Sequence, residues 1–181
     1  MSGGKFIAVV GPSGVGKDSV MNALCAILPD MVRCRRVITR AADAGGEDYE
    51  PVDEEAFRAR VKRGDFALWW QAHGLSYGIP QDMHAHLDRG SDVIANLSRS
   101  KLIEAQGVFP HLRVLSITAK PAILEQRLAD RGRETTEDRN DRLARARLSL
   151  PNGLPVIEID NSGDLNEAVV KAYDALQLAS G

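Results

Sequence analysis

The sequence predicts an α/β fold: a mostly parallel sheet flanked by helices. Three observations carry that prediction. Short apolar runs alternate with amphipathic helical stretches along the whole chain, as expected of a parallel sheet whose crossovers are helices. The first run, Phe6-Ile7-Ala8-Val9-Val10, leads straight into Gly11-Pro12-Ser13-Gly14-Val15-Gly16-Lys17-Asp18-Ser19. That glycine-rich turn is followed by a helical pattern with Val20, Ala23, Leu24, Ile27 and Leu28 on one side. Strand, glycine-rich turn and helix together form the context of a phosphate-binding P-loop, in which curled backbone presents N–H groups and the helix N-terminus adds positive potential. The expectation is a P-loop NTPase fold. Residues 11–19 would hold a nucleoside triphosphate, and Lys17 would reach its β- and γ-phosphates.

The chain has 181 residues, enough for one domain with a substantial core and a small inserted lid. Hydrophobic content of 44% and charged content of 27% are ordinary for a globular protein, which places the chain among enzymes or binding modules rather than disordered or fibrous proteins. A formal net charge of −2 argues against general affinity for nucleic acid or an acidic membrane. Cys25 and Cys34 are too few for a disulfide framework or a zinc site, and both fall in apolar patterns, so they read as buried thiols. With no signal-peptide pattern and no long apolar span in the sequence, a cytoplasmic enzyme is expected.

The elements follow in order. After the first helix, alternation over residues 32–39 predicts a strand, and the polar, glycine-bearing stretch 41–53 predicts a loop. Residues 54–63 form a short helix with Ala56, Phe57 and Val61 inward, ended by Gly64. A strand over 66–72 leads to a turn-rich connection over 73–80. A helix over 81–89 closes at Gly90, residues 93–95 are a buried strand, and Ser98 caps a helix running to 106. A strand over 114–118 precedes a helix that opens at Pro121 and carries Ile123, Leu124 and Leu128 inward. The segment 132–147 is dense in arginine and acid, with a capping box at Thr135 and Asp138. Residues 156–160 are the last strand, and Asp164 with Glu167 caps a final amphipathic helix.

Two arginine clusters lie outside the P-loop. Arg33, Arg35, Arg36 and Arg40 surround Val37-Ile38-Thr39, and guanidinium forks bind phosphate oxygens in pairs. Arg40 stands at the end of the run, where α/β proteins place ligands, and is the better candidate; Arg33 and Arg35 read equally well as solvated. Arg127, Arg131, Arg133, Arg139, Arg142 and Arg145 resemble a closing lid that meets a transferring phosphoryl group. The competing reading is an exposed helix laced by ion pairs to Asp130, Glu134, Glu137, Asp138 and Asp141.

In register along nearly the whole chain, the sequence resembles the guanylate kinase family. The shared marks are the loop from Gly11 to Lys17, Thr39-Arg40, Gly46-Glu47-Asp48-Tyr49, Gly64-Asp65-Phe66, Tyr77-Gly78, Gln126-Arg127-Leu128, Arg131-Gly132, Glu134-Thr135 and Arg142-Leu143. The resemblance implies a single P-loop kinase domain in three parts: an ATP-holding core (about 1–35 and 90–181), an acceptor-binding subdomain (about 36–89) and a lid (about 131–147). It places Arg40, Tyr49 and Tyr77 on the acceptor's phosphate, Arg131 and Arg142 on the transferred phosphoryl, and Asn161 near the adenine.

The departures from the family pattern are as informative. Where guanylate kinases place a second acceptor-phosphate arginine the chain has Asp43, and where they hold guanine with a glutamate it has Leu68. The base-contacting serine or threonine is Ile79, and two strand-end aspartates are Asn96 and Ser98. Losing those hydrogen-bond partners removes the means to select guanine. Together with Trp70-Gln71-Ala72-His73-Gly74-Leu75-Ser76-Tyr77 and Asn96-Leu97-Ser98-Arg99, they make the chain similar to the branch of the family whose acceptor is the sugar ribose 1,5-bisphosphate. Arg36, Arg40, Tyr49, His73, Tyr77, Asn96 and Ser98 are then the candidate substrate-binding residues, though His73 reads equally well as a structural turn residue. The alternatives are a nucleoside monophosphate kinase and a non-catalytic interaction module.

One position in the loop itself is irregular. The residue after Lys17 is normally Ser or Thr, whose hydroxyl ligates Mg²⁺, and here it is Asp18. Ser19 lies about 100° further round the helix and cannot substitute. A carboxylate is both favoured at a helix N-terminus and a hard Mg²⁺ ligand, so Asp18 is the candidate metal residue.

Overall fold

The computed structural model describes residues 3–44, 46–131 and 149–178. The central strand is β1 (Phe6–Val10), all five residues of which are buried. Its odd and even side chains enter two different cores because strand side chains alternate faces. Phe6, Ala8 and Val10 pack with Leu102, Ala105, Phe109 and Val114, and Phe6 stacks on Phe109 at 3.9 Å between ring centroids. Ile7 and Val9 pack with Met21, Leu24, Leu115, Ile117, Ala168, Val169 and Ala172. A strand apolar on both faces requires helices on both sides, which is the reason for the parallel, doubly covered sheet.

The described chain supplies that sheet with strands β1, β2 (Val32–Arg33), β7 (Val93–Asn96), β8 (Leu112–Thr118) and β9 (Val156–Asp160) in the order β2-β7-β1-β8-β9, every pairing parallel. Helices α1 (Lys17–Ile27) and α6 (Leu165–Leu178) pack against each other on one face. Helix α4 (Leu102–Val108) covers the other, entered through a 3₁₀ turn over Arg99–Lys101. Helix α5 (Pro121–Arg131) follows β8.

A second, four-stranded sheet in the order β4-β3-β6-β5 comprises β3 (Val37–Ile38), β4 (Glu50–Pro51), β5 (Phe66–Ala72) and β6 (Leu75–Pro80), with α2 (Glu54–Arg63) between β4 and β5 and α3 (Met83–Asp88) after β6. Leu68, Trp70, Tyr77 and Ile79 of this sheet belong to the same buried cluster as Phe6 and Phe109, so the two sheets share one core. No helix among the described residues is long and apolar enough to cross a membrane.

Three local expectations are corrected. The run 32–39 is not one strand: the Cys34 amide donates to Ile94 in the first sheet, whereas the Arg36 carbonyl accepts from Glu50 in the second. The chain changes sheets at exposed Arg35, so alternation reflects two short edges rather than one strand. The connection over 73–80 is mostly β6; only His73 (φ 53°) and Gly74 (φ 72°) make the turn, a two-residue hairpin whose positive φ values match the twist of its strands. Ser98 precedes the 3₁₀ turn, but its hydroxyl meets Ser100 at 2.9 Å and does not cap the backbone. In contrast, α2 spans the expected residues, with Asp53 accepting from the Ala56 amide at its start and Gly64 in left-handed backbone at its end.

Candidate active site

Parallel strands β1, β7 and β8 all end at one edge of the first sheet, and the loop after β1 curls over that edge. Within it, Gly16 has φ +94°, and a Cβ there would lie 2.6 Å from the Asn161 carboxamide nitrogen. Only glycine lets the loop close onto the last strand at this point.

The contact below Gly16 is part of a support absent from the sequence reading. Asn161, immediately after β9 and 4% exposed, donates its Nδ2 to the Val15 carbonyl at 2.9 Å. Arg127 of α5 reaches the same carbonyl at 3.3 Å through Nη1 and the Asn161 carbonyl at 2.8 Å through Nη2. Asn161 was expected beside an adenine; its amide donor is instead committed to the loop backbone. Arg127 was expected in a lid, and its described contacts tie α5 to the loop.

Lys17, the first residue of α1, folds back so that its ammonium donates to the Gly11 carbonyl at 2.7 Å and the Pro12 carbonyl at 3.2 Å. Burial lowers its pKa to about 8; the positive charges of Arg36 and Arg99 push in the same direction, and Asp18 and Glu47 oppose them. Four charged groups from the start of α1, the β2–β3 crossing, the β3–β4 loop and the 3₁₀ turn after β7 therefore act on one ammonium. Pro12, Ser13 and Gly14 are half-buried along the rim, while Ser19 points outward.

Asp18 does not stand alone. Its Oδ1 accepts from Arg33 Nη2 at 2.9 Å and from Asn96 Nδ2 at 3.1 Å, and these two donors belong to β2 and to the end of β7. Arg33, one of the two arginines read equally well as solvated, is thus bound to the helix start. Asn96 is buried, and its carboxamide oxygen has no hydrogen-bond partner. Among the described residues no cluster of three or more His, Cys, Asp or Glu surrounds Asp18.

On the acceptor side, Arg40 is half-buried with its guanidinium 5.3 Å from the centre of the Tyr49 ring, and no carboxylate pairs with it among the described residues. Tyr49 donates its hydroxyl to the Ala41 carbonyl, which orients the ring under Arg40. Arg36 differs. Its Nε donates to Glu47 Oε2 at 3.0 Å and its Nη2 to Glu47 Oε1, and both side chains are at least nine-tenths buried. The guanidinium also lies 5.0 Å from the Tyr77 ring and 6.0 Å from that of Trp70, which stack on each other at 5.4 Å. Arg36 was expected to bind the substrate; in this structure its fork holds a carboxylate.

The remaining candidates separate. Leu68 and Ile79 are fully buried in the shared core and offer no polar atom to a base. His73 is exposed at the tip of the β5–β6 hairpin. Arg142 and the rest of the expected lid lie outside the described residues, and of Arg131 only its place at the end of α5 is described. Burial pushes the Cys34 thiol up to about 12 and raises that of Cys25, which leaves both as inert packing residues. Sequence reasoning missed Glu47 and Arg99 as members of the site; Glu47 carried a signal as a shared family mark, and Arg99 as a cation one residue past Ser98.

Comparison with known proteins agrees with this geometry. The guanylate kinase family model matches residues 3–177. A ribose 1,5-bisphosphate phosphokinase PhnN from Ruegeria sp. is 54% identical over 175 residues, covering 96% of this chain and 92% of that protein. A protein of the same name from Rhizobium etli is 47% identical, covering 93% and 87%. Among solved structures, guanylate kinase from Anaplasma phagocytophilum superposes with a TM-score of 0.72 at 21% identity, over 98% of this chain and 87% of that one, which bears on the fold alone. The family-model match over nearly the whole chain and the identity to these relatives show that the chain belongs to the guanylate kinase family and, within it, to the ribose 1,5-bisphosphate phosphokinase group.

Proposed function

We propose that the protein transfers the γ-phosphoryl group of ATP to the 1-phosphate of ribose 1,5-bisphosphate, giving 5-phosphoribosyl 1-diphosphate and ADP, as a step of phosphonate catabolism. An oxygen of the acceptor's 1-phosphate forms a bond to the γ-phosphorus while the bond from that phosphorus to the β–γ bridging oxygen breaks, and the electron pair leaves on ADP. The attacking oxygen is already ionised, so no general base is needed and catalysis reduces to positioning and charge neutralisation. The observation that carries the reading is on the acceptor side: Arg40 has no carboxylate partner among the described residues, and Leu68 and Ile79, buried in the shared core, offer no polar atom to a purine.

In this reading the backbone of residues 11–19 holds the triphosphate, and Lys17 leaves the Gly11 and Pro12 carbonyls for the β- and γ-phosphates. Asn161 and Arg127 hold the loop in shape from below. Arg40, Tyr49 and Tyr77 orient the attacking phosphate, Asn96 and Ser98 border the sugar, and His73 contributes from the exposed tip of the β5–β6 hairpin. Arg131 and Arg142 meet the transferred phosphoryl. The donor set around Asp18 fits a Mg²⁺ delivered with the triphosphate, since Mg²⁺ needs only one or two protein carboxylates and the Asp18 Oδ2 accepts from neither Arg33 nor Asn96. Bound there, the ion would neutralise charge on the β- and γ-phosphates.

A coupled assay offering ribose 1,5-bisphosphate, GMP, AMP and UMP with ATP tests this. Turnover confined to the bisphosphate supports the reading. Brisk GMP turnover would make the protein a nucleoside monophosphate kinase, and no transfer to any acceptor would make it an interaction module.

A further inference from the structure

The acceptor side of a kinase for phosphorylated substrates holds a buried anion of its own. The Glu47 carboxylate lies in the loop between β3 and β4, is 8% exposed, and satisfies both donors on one edge of Arg36. Among the described residues Arg36 is its hydrogen-bond and ion-pair partner, and its charge also acts on the Lys17 ammonium without a direct bond. Arg36 is held independently of Glu47: its guanidinium rests near the Tyr77 and Trp70 rings, and Nη1 reaches the Asn96 carbonyl at 3.4 Å. The arrangement is a fork held by rings and a carbonyl, with a carboxylate filling one of its edges. Carboxylate and phosphate oxygens bind that fork in the same bidentate way, so they compete for it. Arg40, by contrast, presents a cation with no carboxylate on it among the described residues.

Resting on the proposed function, we propose that Glu47 is a specificity-determining residue, an internal stand-in for phosphate that only an acceptor carrying a second phosphate displaces from Arg36. The first phosphate of any acceptor goes to Arg40. A bisphosphate then exchanges its second phosphate for the Glu47 carboxylate, and the released loop carries Glu47 towards solvent. A nucleoside monophosphate offers a neutral base at that position, which cannot replace an anion on a buried guanidinium without leaving it unpaired. Discrimination thus comes from a built-in competitor as much as from attraction, one of the two routes to specificity.

The test compares wild type and Glu47→Gln, an isosteric change that keeps the loop's shape and removes the competing charge. The expected result is a KM for ribose 1,5-bisphosphate lowered about tenfold, together with stronger competitive inhibition by ribose 5-phosphate, so that selectivity for two phosphates over one narrows. Adding Arg36→Met to Glu47→Gln abolishes the gain. A KM that stays the same or rises in Glu47→Gln overturns the proposal and leaves the pair a structural one. Should wild type not turn over ribose 1,5-bisphosphate, the functional reading fails by itself. The role of Glu47 is then read from thermal stabilisation by inorganic phosphate: a larger shift in Glu47→Gln than in wild type supports it, and equal shifts overturn it. Should Glu47→Gln not fold, Glu47→Asp keeps the charge but cannot span both donors, and the same lowered KM is expected to a smaller extent, with an unchanged or raised value overturning the idea.

Discussion

The carboxamide of Asn161 donates to the carbonyl of Val15 at 2.9 Å, so the residue after the last strand supports the phosphate-binding loop that follows the first. Those two residues are 146 positions apart in the chain. The contact explains why position 16 must be glycine, and it gives the Asn161 amide donor a role in shaping the loop, while the buried carboxamide oxygen has no hydrogen-bond partner among the described residues.

Asn161→Ala is expected to cost about 1–2 kcal/mol of stability, the usual consequence of breaking a buried hydrogen bond. It should raise the KM for ATP and leave the ratio of ATP to GTP use unchanged. A changed nucleotide preference would return Asn161 to an adenine-contacting role. Gly16→Ala should be worse, because the new Cβ meets the Asn161 amide and the residue is strained at its positive φ.

Lys17→Ala is expected to lower the rate of transfer by about 10²–10³-fold or more, the scale lost when one preorganised charge partner of a transition state is removed. Far-UV circular dichroism of the variant should match wild type. Retained turnover would remove the loop from the mechanism.

The lowered pKa of Lys17 sets a pH dependence with a definite sign. Its folded value of about 8 lies below the ordinary 10.5, so between these values the unfolded chain binds more protons. Stability of the ligand-free protein should therefore rise across that window relative to Lys17→Met, and the penalty is fully present below pH 8. Triphosphate affinity should move in the opposite direction, weakening as pH passes 8 and the ammonium is lost. Melting curves of both proteins from pH 7 to 10, with and without a non-hydrolysable ATP analogue, check both trends.

Asp18→Ser restores the hydroxyl usual at this position and removes the acceptor for Arg33 and Asn96. If Asp18 contributes to holding Mg²⁺, the Mg²⁺ concentration for half-maximal rate should shift severalfold. An unchanged Mg²⁺ profile with reduced thermal stability would assign Asp18 to the Arg33 and Asn96 contacts alone.

The fold was legible wherever a local signal was complete. The β1–loop–α1 unit, the capped helix α2 and the helix opening at Pro121 each carry their own start and stop residues, and each was found where expected. The sheet change at Arg35 was not legible, because alternation over 32–39 is equally consistent with one strand or with two edges facing different partners. The hairpin at His73-Gly74 was missed for a related reason: several glycine, proline and serine residues masked a strand whose identity depends on pairing with β3 and β5.

By itself, the sequence determined the chemistry available: a glycine-rich loop with its lysine, arginines suited to phosphate, and an acceptor region stripped of base-reading groups. Residue type and short-range spacing suffice for the loop and its lysine, since backbone curl and helix start are local properties, whereas the missing base-reading groups show only through the resemblance to guanylate kinases. Only the tertiary structure decided how the charges pair. Asp18 with Arg33, Arg36 with Glu47 and Asn161 with Val15 each join separate elements, and a one-dimensional chain contains no record of which buried charge neutralises which. That pairing distinguishes Arg40, which has no carboxylate partner among the described residues, from Arg36, whose fork is already filled.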